Sequence, residues 1–367
     1  MKILLVAGTG TIGKHIVELL INNGNELFIT TRSVRMQNRK GIHYLSGNAH
    51  DMTFLKKVFD DYQNWDAIID FMVYSTAEFK EKVNLYLRYS KHYIFFSSAR
   101  VYDESLLPIV EESPLLLNSS QDKEFLSTDE YALLKARQEN ILNNGIRKNY
   151  TIIRPYITYG EDRLQLGIQE HEVWLRRALS NKHIVFPKEI AESITTLTHA
   201  YDVAQSVCAL ICNDKAYGET FHITTDTYIK WNDVLEIYKE VLTTFLGKKI
   251  SVKYTTNDSS LKLYQAKYDR LFTRIFDNSK INEFVRINTF KSPREGLKQS
   301  LESFLENPQY RNFPINWKNE AQMDRIGDDR SFLQDIPGLK NKLIYLFFRY
   351  TPSRMLLIIS RIKHLIF

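Results

Sequence analysis

Short apolar runs alternate with amphipathic stretches along the first half of the chain. The strand-like runs are Lys2–Ala7, Glu26–Thr30, Ile42–Leu45, Ala67–Phe71, Tyr93–Ser97 and Tyr150–Ile153. The stretches between them, such as Gly13–Asn22 and Met52–Tyr62, have apolar residues at helical spacing. Runs this uniformly apolar are typical of strands that are buried on both faces of a sheet. The alternation therefore predicts an α/β fold, with a doubly wound parallel sheet between two layers of helices.

The rhythm changes after Pro155. Further helical and strand-like segments follow at irregular spacing: Glu172–Ser180, Thr195–Thr198, Asp202–Cys212, Thr220–Thr224 and Asn232–Phe245. This pattern indicates a smaller domain that is interleaved with the end of the first. The predicted division is a main domain at 1–160 rejoined by about 197–225, a second domain at 161–196 and 226–305, a linker at 306–337 and a tail at 338–367.

Composition narrows the class of protein. Hydrophobic residues make up 44% of the 367 residues, which is enough for a large core and excludes a disordered chain. The two cysteines, Cys208 and Cys212, have no His or Cys partners at ligand spacing, so we expect buried packing and no metal site.

The apolar run Ile3–Ala7 is too short for a signal peptide, and no run reaches the ~18 apolar residues of a membrane span. We therefore expect a cytoplasmic protein.

The net charge of +6 belongs to the C-terminal tail. From residue 338 onward there are six Lys or Arg residues and no Asp or Glu, so the first 337 residues are formally neutral. A neutral body has no basic footprint for nucleic acid. From Pro352 onward, apolar and basic residues fall on different helical faces, which is the pattern of a peripheral membrane helix. A helix that packs on the body or on a partner subunit is the alternative.

A glycine-rich turn follows the first strand. Its sequence, Gly8-Thr9-Gly10-Thr11-Ile12-Gly13, leads into the first predicted helix. In the Rossmann fold this arrangement binds a dinucleotide, because the first glycine permits a tight turn, the second admits the pyrophosphate and the third packs helix on strand. The candidate phosphate-binding residues, at the positive N-terminus of the helix, are Gly8, Gly10, Thr11, Ile12 and Gly13.

The end of the second strand indicates which cofactor binds. NAD-binding forms have an acid there that holds the ribose 2′-hydroxyl. Here the strand ends Thr30-Thr31-Arg32-Ser33, without an acid. Because an arginine is the expected ligand of a 2′-phosphate, Arg32 predicts NADP(H) in preference to NAD(H).

Tyr131 and Lys135 are four residues apart, a spacing that places them on one face of a helix. A free tyrosine has a pKa of about 10, too high for proton transfer at neutral pH. A neighbouring ammonium favours the phenolate and lowers that pKa, so the tyrosine can exchange a proton with a substrate oxygen while hydride moves at the carbon. The pair is therefore a candidate catalytic centre.

Together these motifs resemble the extended short-chain dehydrogenases/reductases, the NAD(P)-dependent epimerases, dehydratases and reductases of nucleotide sugars. The resemblance covers residues 1 to about 245 and includes Ser97-Ser98-Ala99-Arg100-Val101-Tyr102, the Tyr131/Lys135 pair and Arg154-Pro155-Tyr156. It implies that the main domain binds the cofactor and the second domain the substrate. It further implies Tyr131 as acid/base, Lys135 as its activator and a cofactor ligand, and Ser98 as the hydroxyl beside them. Pro155 and Tyr156 would line the nicotinamide.

The chain departs from the family pattern at three positions. Ala7 stands where the commonest turn has its first glycine, which indicates an atypical branch similar to relatives of the chloroplast stem-loop-binding proteins. Asn48 replaces the usual Asp after the third strand and becomes the expected adenine contact. Asp103 replaces the glycine of the usual Val-Tyr-Gly after the fifth strand.

The resemblance also bears on the reaction. Sugar 4,6-dehydratases carry Asp-Glu after the catalytic hydroxyl, where this chain has Ala99-Arg100, which argues against a dehydratase. An exchangeable NADPH suits net reduction, so the lead prediction is a reductase of a nucleoside-diphosphate keto-sugar, such as a dTDP-4-keto-6-deoxyhexose, for surface polysaccharide synthesis. A nucleotide-sugar 4-epimerase is the alternative enzyme. An RNA-binding or nucleotide-sensing relative is the alternative without catalysis.

Two expectations concern ligands and assembly. Arg176 and Arg177 are candidate ligands of the substrate diphosphate, because arginine pairs with phosphate through two hydrogen bonds. A solvated helix face is the alternative for both. Family members usually dimerise through the helix that carries the tyrosine, so the resemblance implies a homodimer.

Overall fold

The computed structural model describes residues 1–33, 39–256, 259–307, 313, 315–352 and 355. The strands are β1 (Lys2–Val6), β2 (Glu26–Thr31), β3 (Ile42–Ser46), β4 (Trp65–Asp70), β5 (Ser90–Phe96), β6 (Tyr150–Pro155), β7 (Thr158–Tyr159), β8 (Gln165–Leu166), β9 (Gln169–Glu170), β10 (Ile184–Pro187), β11 (Ile194–Thr196), β12 (Thr198–His199), β13 (Thr220–Ile223), β14 (Tyr228–Lys230) and β15 (Val252–Thr255). The α-helices are α1 (Thr11–Asn22), α2 (Met52–Asp61), α3 (Thr76–Tyr89), α4 (Leu116–Ser119), α5 (Lys123–Leu126), α6 (Tyr131–Asn143), α7 (His171–Leu179), α8 (Lys188–Glu192), α9 (Ala200–Leu210), α10 (Trp231–Leu246), α11 (Ser279–Asn282), α12 (Pro293–Glu306), α13 (Trp317–Gly327) and α14 (Gly338–Tyr350).

One parallel sheet carries the main domain, with strand order β13-β6-β5-β4-β1-β2-β3. Successive side chains of a strand point to opposite faces. Ile3 and Leu5 of β1 accordingly pack with α1 and α9, whereas Leu4 and Val6 pack with α2 and α3. Because both faces are covered, the strands read as continuous apolar runs, and the predicted doubly wound fold is confirmed.

The strand order changes direction beside β1. The chain builds β2 and β3 on one side of β1 and then β4, β5 and β6 on the other. Such a switch point leaves a crevice at the carboxyl ends of the strands, where α/β proteins bind their ligands. The chain later returns to this sheet, because β13 pairs with β6 and α9 packs on α1.

A second region is built from α7, α10 and α12 and the small strand pairs β10–β15 and β11–β14. Its core contains the stacked rings of Trp174 and Tyr238, whose centroids are 4.3 Å apart. The same apolar cluster includes Val101 and Tyr156 of the main domain. The two regions therefore share one continuous core.

Residues 306–337 are not the linker that the sequence predicted, because they contain α13, which is fixed to α7 by buried charges. Arg177 of α7 is fully buried and lies 2.8 Å from Asp324 and 2.7 Å from Asp329. Lys182 Nζ lies 2.9 Å from Asp324 Oδ2. We call this set of ion pairs the α13 clamp. Since charged side chains make these contacts, the segment has little of the apolar periodicity from which a helix is recognised.

The described part of the tail is also held by the clamp. Tyr345 of α14 donates a hydrogen bond to Asp324 at 2.8 Å, and its ring packs on Trp317 of α13. The helix predicted from Pro352 onward lies outside the described residues, apart from Pro352 and Met355. Among the helices of the described ranges, none combines the length and apolarity that a bilayer crossing needs.

The α13 clamp makes stability depend on Asp324. Asp324→Ala removes a buried carboxylate that pairs with both Arg177 and Lys182 and accepts a hydrogen bond from Tyr345, and removing one partner of a buried ion pair costs about 3–5 kcal/mol. We expect the free energy of unfolding, measured by chemical denaturation, to fall by that amount. The control Glu236→Ala removes an exposed pair with Lys239 and should change it by less than about 0.5 kcal/mol. Equal effects of the two substitutions would contradict the clamp.

Candidate active site

The glycines of the turn after β1 allow close backbone packing at one position and leave the backbone accessible at another. A Cβ atom on Gly13 would lie 2.3 Å from the carbonyl oxygen of Gly8, so this position excludes a side chain. A Cβ on Gly10 would meet no described atom within 4 Å, which leaves the backbone open to a ligand. No described side chain caps α1, so the N–H groups of Thr11 and Ile12 are available to a phosphate. These features fit the pyrophosphate of a dinucleotide.

Ala7 keeps the backbone shape of the glycine that the family usually has at this position. Its φ of +59° lies in the left-handed region that favours glycine. The N–H of Ala7 donates to Thr30 Oγ1 at 2.9 Å, which holds the start of the turn against β2. Ala7 therefore adopts a backbone conformation that a glycine at this position would favour.

Arg32 and Asn48 follow the carboxyl ends of the neighbouring strands β2 and β3. Both residues are exposed, and Asn48 Oδ1 accepts a hydrogen bond from the N–H of His50 at 3.1 Å. No Asp or Glu occurs between Thr31 and Asn48. The strand ends where a cofactor's adenosine would lie thus offer a guanidinium and an amide, and the sequence from Thr31 to Asn48 contains no carboxylate.

A cavity of about 410 Å³ lies at the carboxyl ends of β4, β5 and β6. The main-domain residues that the sequence indicated and that line it are Ile12, Ser98, Tyr131, Lys135 and Pro155. Its other wall comes mostly from the second region: Arg163, Gln165, Glu170, Gln265 and Arg270. The cavity therefore joins the dinucleotide turn to the predicted substrate domain.

The helix that carries Tyr131 is fixed at both ends. Glu130 precedes it and caps α6 by accepting a backbone hydrogen bond at 2.6 Å. Further along, the buried Glu139 accepts hydrogen bonds from Arg154 of β6 at 2.6 and 3.0 Å. Glu139 also accepts one from Ser97 at the end of β5. These contacts determine which helix face meets the strand ends.

Cations surround the Tyr131 side chain. Burial raises the pKa of Tyr131, whereas the guanidiniums of Arg100 and Arg163 and a hydrogen bond with Ser98 lower it. The guanidinium carbon of Arg100 lies 5.3 Å from the centre of the tyrosine ring. Its Nη2 lies 2.5 Å from Oε1 of Glu130, the residue before the tyrosine. Arg100 therefore holds the ring and the start of its helix together.

Lys135 is buried one helical turn further along, at the end of β4. Its Nζ donates to the carbonyl of Met72 at 3.1 Å and lies 4.6 Å from the centre of the Phe95 ring. Burial lowers the pKa of Lys135 to about 8, against the opposing effect of the carboxylates of Asp70 and Glu139. The guanidiniums of Arg100 and Arg163 therefore act on the pKa of the tyrosine in the direction that the sequence predicted for Lys135.

The arginines of the second region were missed by sequence reasoning. Arg270 ends a π-helical turn, Ala266–Arg270, and its Nε donates to the carbonyl of Gly167 at 2.9 Å. Asp269 pairs with Arg270 and also with Arg274, whose Nε lies 3.1 Å away. π-helical turns are frequent at functional sites, but no local sequence motif announces one.

Tyr156 does not line the cavity as predicted. It is 1% exposed and packs in the core, with its ring centroid 5.3 Å from that of Phe276. Pro155 does line the cavity, together with Ile157 and Thr158. The side chain that follows Pro155 thus points into the shared core, and Ile157 and Thr158 line the cavity in its place.

Arg176 and Arg177 also lie outside the cavity. Arg176 pairs with Glu320, and Arg177 is buried in the α13 clamp. Their guanidiniums are committed to carboxylates of this chain, so the prediction that they bind a substrate diphosphate is wrong. Arg163 and Arg270 are the arginines of the second region that reach the cavity.

Curated proteins of similar sequence fall into two groups. The 41 kDa chloroplast stem-loop binding protein b of Arabidopsis thaliana is 28% identical over 247 residues, which are 63% of this chain and 60% of that protein. A UDP-glucose 4-epimerase of Streptococcus mutans is 30% identical over 138 residues, which are 31% of this chain and 41% of that protein. The chain thus matches less than two thirds of the length of either relative.

Solved structures match a larger part of the chain. A dTDP-glucose 4,6-dehydratase from Bacillus anthracis in complex with NAD has a TM-score of 0.64 at 17% identity, over 85% of this chain and 99% of that one. A UDP-glucuronic acid 4-epimerase from Bacillus cereus in complex with UDP-glucuronic acid and NAD has a TM-score of 0.64 at 14% identity, over 83% and 99%. At these identities the likeness concerns the fold.

The family itself is shown by a sequence model that spans residues 3–224. That range contains the glycine turn, the serine after β5 and the Tyr131/Lys135 pair at the cavity. The chain belongs to the NAD-dependent epimerase/dehydratase family.

Proposed function

We propose that the protein is an NADPH-dependent reductase of a nucleoside-diphosphate keto-sugar. The proposal rests on one arrangement above all, the Ser98 and Tyr131 side chains together in a cavity that begins at the dinucleotide turn. Arg32, at a strand end without a carboxylate, supports NADP(H) as the exchangeable cofactor.

The residues divide the chemistry between them. Gly10, Thr11 and Ile12 would hold the cofactor phosphates and Arg32 the 2′-phosphate. When bound, the nicotinamide supplies hydride to the carbonyl carbon. Tyr131 then donates its proton to the carbonyl oxygen, as a general acid within hydrogen-bond reach.

Neighbouring side chains prepare that proton transfer. Ser98 donates to the same oxygen and orients it. The tyrosine becomes a phenolate when it loses its proton, and Arg100 and Arg163 stabilise that negative charge. Lys135 lies at the end of β4, where it supports cofactor binding.

Dehydration is disfavoured by the charges at the cavity. Arg100 stands where the sugar dehydratases carry a glutamate, and Glu170 is the one carboxylate among the described lining residues. Glu170 is already engaged by Gln165 and by Arg163 at 3.3 Å. A free base for removing water from the sugar is therefore missing from the described cavity wall.

A 4-epimerase is the second candidate, favoured by the names of the Streptococcus mutans relative and the Bacillus cereus structure. The two reactions are separated by incubating the protein with NADPH and a dTDP-4-keto-6-deoxyhexose, and separately with UDP-glucose. A reductase oxidises one NADPH per sugar reduced, whereas an epimerase forms UDP-galactose without net cofactor change. The name of the Arabidopsis relative suggests stem-loop binding. A protein with that function alone would neither oxidise NADPH nor form UDP-galactose in these assays.

Removal of the tyrosine hydroxyl tests the chemical step. Tyr131→Phe should fold and bind cofactor, yet lose at least about 100-fold in turnover, because only the proton donor is removed. Tyr228→Phe, an exposed tyrosine on β14, is the matched control and should keep wild-type turnover. Turnover of Tyr131→Phe within about tenfold of wild type would exclude the tyrosine as the essential acid.

Cofactor choice is tested at Arg32. The wild type should bind NADPH more tightly than NADH, and Arg32→Ala should weaken NADPH binding by about tenfold with little effect on NADH, because only NADPH carries the 2′-phosphate. Titration of the protein with each cofactor measures both affinities. Arg88→Ala, an exposed arginine on α3, should leave them unchanged. Equal affinities in the wild type would contradict an NADP(H) site.

The pH dependence of reduction tests Arg100. Reduction needs protonated Tyr131, so kcat/KM falls as pH rises above the pKa of Tyr131. Since Arg100 lowers that pKa, Arg100→Gln should move the alkaline limb to higher pH, and Arg100→Lys should move it less. Arg137→Gln, an arginine on α6 paired with Asp129, should leave the limb in place. An unmoved limb in Arg100→Gln would limit Arg100 to a structural role.

A further inference from the structure

One face of α14 is lined by large apolar side chains that are between 42% and 72% exposed: Leu339, Leu343, Phe347 and Tyr350. Their spacings of four, four and three residues place them along a single stripe of the helix. The opposite side is buried, because Tyr345 is 1% exposed and packs with Trp317 of α13. We call the exposed stripe the outer face of α14. It is far too apolar to be typical of a helix side that is simply solvated.

Basic residues flank the outer face. At about 3.6 residues per turn, Lys340 and Lys342 fall on opposite sides of the stripe. No Asp or Glu follows Asp335 in the sequence, whereas the residues after α14 add Arg354, Arg361 and Lys363 among many Leu and Ile. The chain beyond α14 thus continues the same combination of apolar and cationic residues. The complement of this surface is an anionic partner that also accepts apolar side chains.

A lipid bilayer meets both requirements, and a second copy of the chain does not. Two copies joined through this face would supply no anion to the lysines, because a two-fold contact uses the same patch on both sides and α14 contains no Asp or Glu. An apolar stripe flanked by lysines is typical of helices that lie in the headgroup region of a membrane. We propose that the outer face of α14 docks on an anionic lipid surface, with Leu343 and Phe347 among the acyl chains and Lys340 and Lys342 against lipid phosphates.

The attachment of α14 gives the docking a defined orientation. Tyr345 ties α14 to Asp324, and Asp324 ties α13 to Arg177 at the end of α7. The other end of α7 begins next to Glu170, which lines the cavity. Docking therefore holds the substrate cavity at a set position relative to the membrane, through one short helix.

Vesicle flotation tests the proposal with the full-length protein. It should float with vesicles of phosphatidylcholine and phosphatidylglycerol, and remain at the bottom with pure phosphatidylcholine. Leu343→Glu/Phe347→Glu should lower the bound fraction by at least about tenfold. The control Leu106→Glu/Leu107→Glu makes the same change of charge at side chains that are 103% and 76% exposed on a distant loop, and should float like the wild type.

Several results would overturn the proposal. These are no flotation of the wild type with anionic vesicles, equal flotation with neutral vesicles, or equal losses in the α14 variant and its control. Should Leu343→Glu/Phe347→Glu fail to fold, Lys340→Gln/Lys342→Gln should still reduce binding to anionic vesicles severalfold. Light scattering without lipid adds a further check, because a wild-type oligomer that Leu343→Glu/Phe347→Glu dissociates would identify the outer face as a contact between copies and overturn the membrane proposal.

Discussion

Glu139 and Arg154 lie buried between helix α6 and the sheet, and neither charge is tolerable there without the other. Tyr131, Lys135 and Glu139 follow one another at intervals of four residues, so they share one face of the helix. The Glu139–Arg154 ion pair therefore holds this face of α6 in contact with the ends of β4, β5 and β6. A rotation of α6 that displaced the tyrosine from Ser98 would also separate the buried charges.

Buried pairs of opposite charge recur wherever elements distant in sequence must keep one arrangement. Asp269 of the π-helical turn lies 3.5 Å from Arg100 beside Tyr131, and Asp324 joins Arg177 and Lys182 in the α13 clamp. Such pairs lose much of their attraction to desolvation, so their contribution to net stability is modest. They fix the relative orientation of the elements that they join, because a guanidinium donates its hydrogen bonds to a carboxylate in few geometries.

This reliance on charge explains which parts of the molecule could be read from the sequence. The apolar strands, the glycine turn and the Tyr131/Lys135 pair follow local rules of periodicity and spacing, and the structure brings the corresponding elements together at one cavity. Helix α13 could not be recognised, because its carboxylates pair with cations that lie about 140 residues earlier in the sequence. Arg177 was misread for the same reason, since its carboxylate partners lie far away in the sequence.

Helix α7 connects the wall of the cavity to the α13 clamp. Along the helix, Glu170 in the cavity wall and Arg177 in the clamp are separated by roughly 10 Å. A packed helix of this length moves as one rod, so a displacement at either end is transmitted to the other. Coupling between two sites is reciprocal in free energy. A ligand in the cavity that favours one position of α7 must therefore change the strength of the contact between α7 and α13. By the same factor, that contact changes the affinity of the cavity for the ligand.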